Sequence, residues 1–122
     1  MAKVLGIGGI FFKTVDPKAL GEWYKRVLGF PITDWGSAMF QHAGEGFTLW
    51  TPFKADTDHF APSQHPFMIN LTVDDLDGVL AKAKAEGVEP LGRQDDEYGR
   101  FAWIMDPAGV KLELYQPAED AG

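Results

Sequence analysis

One pattern occurs twice in this chain, and the repeat restricts its fold more than any single motif. In the first half IFFKTV reads as a strand and runs into Asp16-Pro17-Lys18-Ala19-Leu20, a helix start. Asp16 can accept a bond from an orphan helix N–H, and Pro17 suits the first helical position, where no N–H is needed. Leu20, Tyr24, Val27 and Leu28 then recur as one apolar stripe, and Gly29 fits a left-handed cap. Half a chain later MINLTV is again a strand and Asp74-Asp75-Leu76-Asp77 again opens a helix. Leu76, Val79, Leu80 and Ala83 form its stripe, Gly87 closes it, and the acidic first turn agrees with the helix dipole.

Short strand candidates follow each helix: ITDW, SAMFQHA and GFTLWTP in the first half, VEPL, RFAWIMD and VKLELYQP in the second. Asp106-Pro107-Ala108-Gly109 carries the residues of a type I turn and predicts a hairpin between the last two strands. Each half therefore reads β-α-β-β-β, too short to close a core alone, so the two must share one. The expected organisation is a single domain over 1–122, with a first module at about 1–52, a linker at about 53–66 and a second module at about 67–117. The linker reading rests on FKADTDHFAPSQHP, which is polar, proline-containing and aperiodic.

Composition removes several classes of function. A net charge of −7 with 11 scattered basic residues argues against tracking a phosphate backbone, so no nucleic-acid partner is expected. Without cysteine there is no disulfide framework, thiolate metal site or cysteine nucleophile. No segment approaches the roughly 20 apolar residues of a membrane span, and the short apolar run near the start lacks a cleavage pattern. A soluble cytoplasmic protein is expected, with no membrane partner.

The repeat, the segments IFFKTVDPKALGEWYKRVLGF and MINLTVDDLDGVLAKAKAEGV, and the final GRFAWIMDPAGVKLELYQP together resemble the vicinal oxygen chelate superfamily. That group includes glyoxalase I, extradiol dioxygenases, fosfomycin resistance proteins and bleomycin-binding proteins. The resemblance implies an α+β fold in which two βαβββ modules form a cupped mixed sheet, with helices on the outer face and the ligand site on the inner one. Strand parity then assigns side chains. Ile10, Phe12, Ile69, Leu71, Val73, Leu112 and Leu114 should lie under the helices. Gly9, Phe11, Lys13, Met68, Asn70, Thr72, Lys111, Glu113 and Tyr115 should face the cup.

Metal-dependent relatives take ligands from the first and last strand of each module. Carried over residue by residue, those places are Gly9, Thr48, Met68 and Glu113. Glycine offers no donor, a lone threonine hydroxyl is weak, and a thioether is too soft for a hard divalent ion. The resemblance thus implies a member without the usual metal: no cofactor is expected, with a divalent metal as the alternative. His59 and His65 lie in the linker at no spacing imposed by a strand or helix, and read as solvated.

Glu113 is the candidate catalytic residue, as a base or as an acceptor for a ligand N–H or O–H; otherwise it pairs with Lys13 or Lys111, or is wetted through the cavity mouth. Phe11, Lys13, Thr48, Trp50, Met68, Asn70, Trp103 and Tyr115 are the candidate ligand-binding residues, with aromatic walls suited to a flat apolar molecule. Arg100 either clamps an anionic ligand or pairs with Asp95 or Asp96. Two functions follow: metal-independent binding of a small, aromatic or planar molecule in the manner of bleomycin-resistance proteins, or a glyoxalase-I-like lyase or epimerase with Glu113 as general base. A homodimer is expected, because sheet edges invite a partner.

Overall fold

The computed structural model describes residues 2–42 and 46–118. Its elements are β1 (Val4–Thr14), α1 (Pro17–Leu28), β2 (Ala38–Gln41), β3 (Phe47–Lys54), β4 (Phe67–Val73), α2 (Leu76–Ala85), β5 (Gly92–Asp96), β6 (Gly99–Met105) and β7 (Lys111–Pro117). The strands form one mixed sheet in the order β2-β3-β1-β4-β7-β6-β5. β1 and β4 pair antiparallel at its centre, and each has a parallel neighbour outside it, β3 and β7. The α+β fold expected from the sequence is therefore present. Among the described residues no helix is long and apolar enough to cross a membrane.

The helix starts follow the local chemistry. Asp16 Oδ1 accepts from the amide of Ala19 at 3.0 Å, with Pro17 at the first helical position. Asp75 Oδ1 does the same for Gly78 at 3.1 Å. Each bond satisfies a donor that the helix cannot pair itself. Gly29 takes φ 71°, a left-handed conformation that costs glycine little, and its amide closes α1 onto Lys25. In the β6–β7 turn Asp106 accepts from Ala108 and Val110 through Oδ1, so the carboxylate itself holds the hairpin.

Both helices lie on one face of the sheet. Val73, Leu76, Ala102 and Leu114 form a buried cluster there, with Leu71, Val79, Leu80 and Ile104 packed around it. Each such side chain contributes about 1.5–3 kcal/mol when fully buried. Under α1 an aromatic set takes this role: Trp50 lies 4.6 Å from Tyr24, 5.2 Å from Phe30 and 5.5 Å from Phe12 between ring centroids.

Several expectations are revised. The α1 stripe is narrower than its periodicity implies, since Val27 and Leu28 remain exposed. Ile10 faces the helix side but is 53% exposed, because α1 and α2 pack over the outer strands and leave the centre of the sheet open. The ITDW candidate is reduced to a bridge between Ile32 and Ala38, and the strand expected at VEPL lies further on, as β5. Part of the SAMFQHA candidate, residue 43, lies outside the described residues.

Candidate functional site

The face opposite the helices divides into a covered half and an open one. Phe60, from the segment joining β3 to β4, is 0% exposed and packs against Phe11 and Met68, with Leu49, Phe53 and Trp103 around them. An apolar residue in a polar aperiodic segment has nothing nearby to pack on, so it docks on the sheet. That contrast, a His-Phe pair inside the polar linker, was the signal the sequence carried. The segment is tied at several points. Ser63 Oγ donates to the Gly109 carbonyl at 2.6 Å, the amide of Lys13 to Pro66, and Lys111 Nζ to the carbonyl of His59.

At the boundary of the two halves one row of paired residues crosses the sheet: Leu49, Gly9, Asn70, Glu113, Trp103. Glu113 is 6% exposed. Its Oε1 accepts from Asn70 Nδ2 at 2.7 Å and its Oε2 from Trp103 Nε1 at 2.9 Å. His59 Nε2 stands 3.7 Å from Oε2. Two N–H donors offset much of the cost of burying the carboxylate.

These bonds also orient Asn70. Its NH₂ must face the carboxylate, so Oδ1 points the other way, toward Gly8, and has no hydrogen-bond partner among the described residues. The register shift between Ile7 and Gly9 turns both Gly8 and Gly9 inward. A Cβ on Gly8 would overlap Asn70 Oδ1 and Thr72 Oγ1, and one on Gly9 would come within 2.8 Å of Leu49 Cβ. Both positions therefore require glycine.

Lys111 belongs to the covered half. Its ammonium lies 5.7 Å from the Trp103 ring centroid, and burial lowers its pKa from the usual lysine value, with Glu113 and Asp58 acting in the opposite sense. Tyr115 belongs to the open half and donates to the Tyr98 carbonyl at 3.0 Å. Burial raises its pKa, helped by the negative charges of Asp96 and Glu113. Phe101 lies nearly parallel to Tyr115 at 4.9 Å and to Trp103 at 6.4 Å. Phe101, Trp103 and Tyr115 are all half-buried.

Of the residues singled out in the sequence, Asn70, Glu113, Trp103 and Tyr115 come together here. Phe11 and Met68 face the same side but sit under Phe60 in the covered half, and Lys13 lies 5.8 Å from the Phe60 ring. Two expectations fail. Trp50 packs under α1, on the opposite face. Thr48 shares that face, two residues along the same strand, with its hydroxyl 2.8 Å from His42 Nε2. The place carried over to Thr48 falls one residue further on, since Leu49 stands beside Gly9. His59, expected to be solvated, stands 3.7 Å from Glu113, with its side chain 37% exposed. Arg100 pairs with Asp77 of α2, where Arg93 also binds.

This donor set does not fit a divalent ion. Gly9 has no room for a ligating side chain, and Leu49 and Met68 offer no hard donor, which leaves Glu113 as the one hard donor among these places. Among the described residues no three His, Asp or Glu converge.

Residues 9–115 match the family model of the glyoxalase-like domain. The chain belongs to that family. Several solved structures share its fold across nearly the whole length. A variant of methylmalonyl-CoA epimerase from Streptomyces coelicolor, in complex with 2-nitronate-propionyl-CoA, has a TM-score of 0.74 at 18% identity, over 98% of this chain and 99% of that one. Methylmalonyl-CoA epimerase from Mycobacterium tuberculosis has a TM-score of 0.66 at 21% identity, over 94% and 89%. A glyoxalase/bleomycin resistance protein/dioxygenase superfamily member from Vibrio splendidus has a TM-score of 0.60 at 13% identity, over 95% and 99%. At these identities the likeness is one of fold, and this glyoxalase-like chain is a member of the vicinal oxygen chelate superfamily. Among curated protein sequences there is no match.

Proposed function

We propose that this glyoxalase-like domain binds a small flat molecule on the open half of its inner face, against Phe101, Trp103 and Tyr115 and beside Glu113, without a protein-held divalent ion. The observation that carries the reading is the double engagement of Glu113 by Asn70 and Trp103. A carboxylate held this way supplies a fixed negative charge and spare lone pairs in a partly dry site, next to aromatic surface. A thermal-shift screen of flat aromatic compounds, run with and without EDTA, tests it. Stabilisation that is indifferent to EDTA and lost in Trp103→Ala supports the reading. Stabilisation that needs an added divalent ion overturns it.

His59 beside Glu113 favours a second reading, in which the glyoxalase-like domain is an epimerase with Glu113 as general base and His59 as its proton-exchanging neighbour. Methylmalonyl-CoA is the test compound, taken from the epimerases that share the fold. Incubation in D2O should introduce deuterium at its α-carbon with the native protein and none with Glu113→Gln. No exchange above the buffer rate removes this reading. For the quaternary structure we propose a homodimer in which a second copy covers Ile7, Ile10 and Val27, which are each more than half exposed. Light scattering showing a monomer would exclude it.

A further inference from the structure

The polar groups of the open half are unevenly assigned. The indole N–H of Trp103 and an amide N–H of Asn70 go to Glu113, and the Tyr115 hydroxyl goes to the Tyr98 carbonyl. Unspent acceptors predominate: the further lone pairs of Glu113 and those of the Tyr115 oxygen, against the second amide N–H of Asn70, whose Oδ1 is turned away toward Gly8. Thr72 and His59 can act as donor or acceptor and do not alter the balance. Lys111 is turned to the covered half, where it is tied to the His59 carbonyl. A ligand seated here therefore gains more from bringing donors than acceptors.

Charge acts in the same direction. Glu113, paired with Trp103, lies at one end of the aromatic row, and Asp96, paired with Gly99, lies near the other. Burial is the larger cause of the raised Tyr115 pKa, and the two carboxylates add to it; their share of the effect is the one that favours a positive charge in the same place. The faces of Phe101, Trp103 and Tyr115 add the negative side of their quadrupoles. Among the described residues of the open half, an anion would meet two carboxylates and no lysine or arginine.

We infer that the open half selects a flat organic cation, its ring against Phe101, Trp103 and Tyr115 and its N–H donors toward Glu113. The inference rests on the binding reading above and names the ligand class for it. The test uses three probes of one shape: 2-naphthylmethylammonium, 2-naphthalenemethanol and 2-naphthoate, titrated by calorimetry and by quenching of tryptophan emission. The ammonium should bind about tenfold more tightly than the naphthoate, with the alcohol between them. Glu113→Gln should remove most of that preference. Asp96→Asn, an exposed site that does not put the fold at stake, should narrow it about twofold. Naphthoate binding as tightly as the ammonium overturns the inference. Should all three bind alike and be lost together in Trp103→Ala, the site stands and the ligand class is wrong. Should none bind, the site reading falls as well.

Discussion

Asn70 and Glu113 face each other across the parallel β4–β7 pair, 2.7 Å apart, and each determines the state of the other. The carboxylate dictates which way the amide points. The amide in turn makes burial of the carboxylate tolerable, a partner lost at either end leaving a buried group uncompensated.

Asn70→Leu should therefore destabilise the protein by about 1–3 kcal/mol, because Glu113 keeps its burial and loses a donor. At roughly 4 °C per kcal/mol for a chain of this size, the melting temperature should fall visibly. The double variant Asn70→Leu with Glu113→Met should regain part of the loss, since no charge is then left buried. Additive losses in the double-mutant cycle would mean that the two residues act separately.

Gly8→Ala should cost about 1–3 kcal/mol, because its Cβ would overlap the Asn70 and Thr72 side chains. Gly6→Ala, on the same strand with nothing within 4 Å of the added Cβ, is the control and should be close to neutral. Urea unfolding midpoints of the two variants compare them directly. Equal midpoints would show that Asn70 is free to move away.

Phe60→Ala should cost about 3–5 kcal/mol, as a fully buried ring is removed from the inner face. It should also raise binding of a neutral hydrophobic dye, because the covered half would be opened. Loss of stability without dye binding would mean that the segment collapses onto Phe11 and Met68.

The acid limb of stability should depend on Asp77. Its hydrogen bond to Arg93, with the charges of Arg93 and Arg100, holds its carboxyl below the usual carboxylate range. A folded-state value below the unfolded one stabilises fully above the unfolded value and is lost as pH falls through the folded one. Native protein should thus lose more stability than Asp77→Asn between pH 5 and about pH 3. Chemical denaturation at the two pH values checks this, and equal losses would leave the Arg93–Asp77–Arg100 pairing without weight.

Most of the architecture was legible in the sequence because its signals are local. Asp16 and Asp75 cap helices through amides three residues away, Asp106 closes its own turn, and alternation along β7 placed Glu113 on the inner face. Each depends on a few neighbouring residues and on a fixed backbone period, so reading along the chain suffices. Trp50, Leu49 and His59 were decided elsewhere. Which face of β3 meets α1 is a matter of register between strands about 40 residues apart, and a one-residue slip exchanges Thr48 for Leu49 beside Gly9. The segment that carries His59 and Phe60 has no period at all. Its position follows from the apolar surface of Phe11 and Met68 that it covers, and that surface exists only once the two halves of the chain have paired.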